Sequence, residues 1–115
     1  MSEEIDTSRS RGSSSIGFVA ISRFTVANGM EAEVRQAFEQ RPHLVDNAEG
    51  FVGMQVICPR RRPEQFWLIT HWRDEASFRA WHHSHTYHDA HKGIPRGLKL
   101  VPSETDIEFF DLVAS

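Results

Sequence analysis

From Ile16 the chain alternates with the period of an extended strand. In GFVAISRFTV, Phe18, Ala20, Ser22, Phe24 and Val26 fall on one face, and Val19, Ile21, Arg23 and Thr25 on the other. The period then changes. Met30, Val34, Ala37, Phe38, Arg41 and Val45 recur at helical intervals, Asn28 stands three residues before Glu31 in a capping-box-like spacing, and Pro42 is placed to bend the helix. Gly50 closes the connection. FVGMQVIC, ending at Pro59, predicts a second strand, and EQFWLITHW, ending at Trp72, predicts a third. Asp74 is placed to accept a backbone N–H from the first turn of EASFRAW, which predicts a second helix with Phe78, Trp81 and His85 on one face. After a loop holding Pro95, Gly97 and Pro102, DIEFFDLV predicts the last strand.

Strand, helix, strand, strand, helix, strand is the order of a ferredoxin-like α+β unit, an antiparallel sheet with its helices on one face. The strands carry more apolar surface than that arrangement needs. In EQFWLITHW one alternating set holds Phe66, Leu68 and Trp72 and the other Trp67 and Ile69, while Phe109 and Phe110 point to opposite sides of the last strand. A sheet covered on one side only should be polar on the other. The simplest cover for the second face is another copy of the chain packed about a two-fold axis, giving a homodimer.

A chain of 115 residues with 39% hydrophobic and 25% charged residues has the composition of one globular domain. A net charge of −3 argues against nucleic acid or an anionic membrane as partner, since both demand a clustered positive field. Arg60, Arg61 and Arg62, flanked by prolines, read as a solvated turn. The single cysteine, Cys58, leaves no internal disulfide, reads as a core thiol and suits a reducing, cytoplasmic location. No apolar run approaches the ~20 residues of a membrane span. Residues 1–15, MSEEIDTSRSRGSSS, read as a disordered leader, and residues 16–115 as the folded domain.

Fingerprints for dinucleotides, nucleotide triphosphates, metalloproteases and thiol redox are all missing. What remains is FRAWHHSHTYHDAHKG, residues 78–93, with five of the seven histidines. His82, His85, His88 and His91 follow one another at intervals of three, a spacing that could chelate a metal but that any histidine-rich helix shows. For His82, His83, His85 and His88 a solvated face is the simpler account. His91 differs, because on a short helix it would share a face with Tyr87 and Ile94. A histidine on an apolar face is either a hydrogen-bonded core residue or an axial ligand, since a neutral imidazole in an apolar surround is what a haem iron requires. On one continuous helix Trp81 and His91 would stand about 15 Å apart on different faces. They can line one pocket only if the chain breaks between them, and HHSH, with Ser84 able to cap a new short helix, is the place for it.

GFVGMQV together with ITHWRDEASFRAWHHSHTYHDAHK resembles the haem-degrading monooxygenases of the IsdG and MhuD type within the antibiotic biosynthesis monooxygenase superfamily, and the likeness extends through the first and last strands. The resemblance implies a homodimeric α+β barrel and an oxygen-dependent enzyme for which haem is both cofactor and substrate. An external electron donor, either a reductase or a small-molecule reductant, would be required, and the products would be an opened porphyrin and free iron. It places the proximal haem histidine on His91 and the tryptophan that distorts the porphyrin on Trp81, with Phe78 beside it in the cofactor pocket. The family's third pocket residue, an asparagine on the first strand, falls on Ser22. Serine keeps one donor but lacks the reach and the paired donors of the amide. Two other functions fit the same sequence: a cofactor-independent monooxygenase acting on an aromatic polyketide or quinol-like substrate, and a non-enzymatic haem carrier or sensor.

Overall fold

The computed structural model describes residues 16–41, 44–84 and 94–115. Within them lie four strands and two helices: β1 (Phe18–Thr25), α1 (Glu31–Glu39), β2 (Phe51–Ile57), β3 (Gln65–Trp72), α2 (Glu75–His82) and β4 (Asp106–Asp111). The strands form one antiparallel sheet in the order β2-β3-β1-β4, the ferredoxin-like arrangement expected from the element order.

Register shows which side chains share a face. Phe18 pairs with Trp72, Ala20 with Thr70, Ser22 with Leu68 and Phe24 with Phe66. These positions meet the helices. The alternate set, Val19, Ile21 and Arg23 on β1 with His71, Ile69 and Trp67 on β3 and Phe110 on β4, lines the opposite face, which no described helix covers. Ile57 and Phe110, at the two edges of that face, are 48% and 41% exposed.

α1 is shorter than the apolar spacing predicts. It ends at Glu39, and the chain resumes as a 3-10 turn over Leu44–Asn47. The predicted bend at Pro42 lies outside the described residues, as does the leader. The start of α1 is also a correction: its N-cap is Met30, with no side-chain cap, and Asn28 turns away to bond the backbone at Gly97 and Lys99. A capping-box spacing fixes which groups are near in sequence, and here a partner distant in sequence takes the amide instead. Asp74, by contrast, caps α2 as predicted, accepting the Ser77 N–H at 2.8 Å.

Cys58 is corrected as well. It is half-buried in the turn after β2, with its Sγ 3.6 Å from the carbonyl oxygens of Pro59, Arg62 and Pro63. Arg62 in the same turn is ion-paired, to Glu64 at 3.2 Å and Glu104 at 2.8 Å, and so ties the β2–β3 hairpin to the turn before β4.

Candidate functional site

Two separate clusters make up the core on the helix-bearing face. The first, under α2, gathers Phe18, Ala20, Val45, Trp72 and Phe78, with Ala48, Phe51, Met54 and Trp81 partly buried against it. The second, under α1, gathers Val26, Val34 and Phe66, with Phe24, Phe38, Val56 and Leu98 around it. Ser22 belongs to neither. It stands mid-strand between them, beside Leu68 on β3 and Ile107 on β4. Ser22 and Leu68 are half-buried and Ile107 is 43% exposed, so this row forms an incompletely covered floor.

The floor is electrically neutral. Its residues between the two clusters are apolar or carry hydroxyls, because alternation sends Arg23, Asp106 and Glu108 to the other face. There the Arg23 guanidinium bonds both Asp106 and Glu108 at 2.8 Å and lies 5.0 Å from the centre of the Trp67 ring. Thr70, next to the floor, is engaged: its hydroxyl accepts Trp72 Nε1–H at 2.9 Å and donates to the Ala20 carbonyl at 3.4 Å. Ser22 differs, since its hydroxyl bonds no described residue. A neutral, mostly apolar shelf with one available hydroxyl suits a flat apolar ligand that makes a single polar contact.

α2 forms one wall. Phe78 is buried, with ring centres 5.7 Å from Phe18 and from Trp72 and 5.5 Å from Phe109. Its part in any pocket is therefore support from within the first cluster. Trp81, one turn on, is only partly buried against that cluster. The wall is seated by its N-terminal end. Asp74 accepts both the backbone N–H and the hydroxyl of Ser77 at 2.8 Å and pairs with Arg73 at 3.1 Å; the Ser77 hydroxyl, then its backbone N–H, hold the carboxyl below the usual carboxylate range. Gly50, at φ 79°, packs so closely that a Cβ there would run into the Ser77 side chain. Its carbonyl accepts the Arg73 N–H at 2.7 Å.

The helix stops where the sequence places a break. α2 ends at His82, and Ser84 closes it: its backbone N–H and its hydroxyl both donate to the Trp81 carbonyl, at 3.0 and 2.7 Å. His82 is half-buried with its ring 5.5 Å from Phe78, a packing role that a purely solvated face did not anticipate, whereas His83 is exposed. His85, Tyr87, His88 and His91 lie outside the described residues. Of the predicted site residues, then, Ser22, Phe78 and Trp81 are on the helix-bearing side of one sheet. Sequence reasoning did not single out Leu68 and Ile107 as floor residues, although the period-two register with Ser22 contained that signal.

Residues 17–93 match the profile of the antibiotic biosynthesis monooxygenase family. A heme oxygenase (mycobilin-producing) of Mycobacterium tuberculosis is 32% identical over 94 residues, covering 78% of this chain and 90% of that protein. Among solved structures, the heme-degrader MhuD of Mycobacterium tuberculosis, with two hemes bound in its active site, aligns with a TM-score of 0.69 and 28% identity, covering 85% of this chain and 97% of that one. SnoaB, a cofactor-independent oxygenase from Streptomyces nogalater, shares the fold with a TM-score of 0.69 at 20% identity, over 88% of this chain and 97% of its own.

Proposed function

Because the chain belongs to the antibiotic biosynthesis monooxygenase family, we propose that it is an oxygen-dependent haem-degrading monooxygenase that opens the porphyrin and releases iron. The observation that carries this reading is the 32% identity to a heme oxygenase across 78% of the chain. The neutral floor between the two core clusters is compatible with it, because a porphyrin plane seats on apolar side chains. In this reading His91 holds the iron, Trp81 crowds the macrocycle from α2, Phe78 backs Trp81 from the core, and Ser22 faces the side where oxygen enters. Bound haem would supply the redox-active iron, with electrons arriving from an external donor.

The chain's own residues set the environment. With a porphyrin seated on it, an apolar shelf would exclude water and so strengthen each polar contact made above it. Ser22 offers one O–H donor and two lone pairs on a short side chain, so it holds or passes a proton at Oγ, where the family's asparagine would present an amide N–H. The uncovered sheet face, with Val19, Ile21, Trp67, Ile69 and Phe110, would be closed by a second copy of the chain.

Hemin titration of the purified protein tests this. A saturable Soret shift is expected, abolished in His91→Ala and retained in His88→Ala. Ascorbate with catalase present should then bring steady Soret loss, bilin-like absorbance and ferrozine-reactive iron. Haem that binds and stays intact would make the protein a carrier, and no Soret shift would leave a cofactor-independent oxygenase. Ser22→Asn should raise the rate of haem loss.

A further inference from the structure

The row that forms the floor crosses the whole sheet. Ser22 pairs with Ile107 on β4 and with Leu68 on β3, and Leu68 pairs with Val56 on β2, so four side chains lie in line on the helix-bearing face. At ~4.8 Å between neighbouring strands the row is about 14 Å long, room for a large planar ring system. Its two ends differ. At the β4 end Ile107 is flanked in sequence by Asp106 and Glu108, whose carboxylates are taken by Arg23 on the other face. At the β2 end Val56 borders a cavity of about 290 Å³ that lies in the gap between the core clusters. Met54, packed against the first cluster, stands on one side of it, and Phe38 and Phe66 of the second stand on the other.

Two guanidiniums reach this cavity, Arg35 from α1 and Arg41 from just beyond it. Arg35 is exposed and has no ion-pair partner among the described residues, and Arg41 meets Asp46 at 3.4 Å. A guanidinium carries five N–H donors in a planar fork that matches a carboxylate, so one long contact leaves most of the Arg41 donors unused. Glu39, one turn after Arg35 and also exposed, lines the same cavity. A carboxylate arriving there meets two forks and one like charge.

We propose that Arg35 and Arg41 bind the carboxylate edge of a flat ligand lying on the floor, so that a porphyrin is held with its two carboxylate arms toward β2 and its uncharged edge toward β4. The identity of the ligand rests on the haem reading above. The two arginines add the direction in which it lies.

The experiment measures binding of protoporphyrin IX and of its dimethyl ester by quenching of tryptophan fluorescence, and of hemin by the Soret shift, in wild type, Arg35→Gln, the double variant Arg35→Gln/Arg41→Gln, and Glu39→Gln. Wild type should bind the free acid about tenfold tighter than the ester (~1.4 kcal/mol). In the double variant that preference should disappear while affinity for the ester is unchanged, and in Glu39→Gln it should widen. Arg35→Gln, at an exposed position, should narrow the preference by about threefold with no change in Tm, which covers a failure of the double variant to fold. Equal binding of acid and ester by wild type, a preference that survives in the double variant, or an equal loss of both ligands there would overturn the edge role. No Soret shift with hemin, alongside the expected preference among the iron-free porphyrins, would overturn the haem reading alone. No binding of any of the three would overturn both.

Discussion

Replacing Gly50 with alanine should be among the most damaging small changes in the chain, and the structure separates the cost into two parts. At φ 79° an alanine adopts a left-handed conformation that L-residues avoid by about 1–2 kcal/mol. Its Cβ would also enter the space of the Ser77 side chain, and an overlap that neighbours must relieve by shifting costs about 1–3 kcal/mol. Together these amount to roughly 2–5 kcal/mol, or a fall in Tm of about 8–20 °C for a domain of this size. Thermal unfolding followed by circular dichroism measures the sum. A double-mutant cycle with Ser77→Gly separates the parts, because removing the Ser77 side chain relieves the overlap but not the backbone strain. The cost of Gly50→Ala should drop to about 1–2 kcal/mol in that background, a coupling of about 1–3 kcal/mol. Equal costs in the two backgrounds, or a Tm for Gly50→Ala within a degree of wild type, would refute the close seating of α2 on the turn before β2.

Other consequences concern charge, assembly and the pocket. Asp74→Asn removes a carboxylate whose folded-state pKa is held below the ordinary carboxylate range, first by the Ser77 hydroxyl. The stabilisation it supplies is present above the unfolded value and is lost as pH falls through the lower folded one, so the Tm gap between wild type and Asp74→Asn should be constant from neutral pH to about pH 5 and shrink below about pH 4. A gap that does not change with pH would contradict this. Ile21→Lys puts a charge in the middle of the sheet face that no described helix covers; if the proposed dimer forms there, light scattering should give a dimer for wild type and a protomer for the variant, and a dimer in both would locate the interface elsewhere. Trp81→Ala should weaken hemin binding and shift the products formed, read by titration and by chromatography of the bilins, with little change in Tm because the indole is only partly buried.

Most of the frame was legible because period-two alternation and a strong cap are local signals. All four strands, the end of α2 and the Asp74 cap follow from neighbours within a few residues. Asn28 shows where local reading ends: its spacing to Glu31 matched a cap, yet Gly97 and Lys99, remote in sequence, present a better pair of partners. Cys58 shows the same limit, since proline-flanked carbonyls of the turn rather than core side chains surround it. In the site, Ser22 and Trp81 were identified by resemblance, and their placement on one side of the sheet then follows from register. The gap between the two clusters was not legible. It depends on which helix covers which part of the sheet, and apolar periodicity does not specify that.

Among the described residues, two hydrophobic clusters on one sheet, with the half-buried row of Ser22 and Leu68 between them, are two half-cores rather than one. A ligand seated on that shelf would join them and link folding to occupancy: at a ligand concentration ~100 times its Kd the folded state gains about 2.7 kcal/mol. In a haem-degrading protein the molecule that completes the core is also the one consumed. Each turnover would then return the chain to its less cooperative form, so its lifetime in a cell would depend on haem supply.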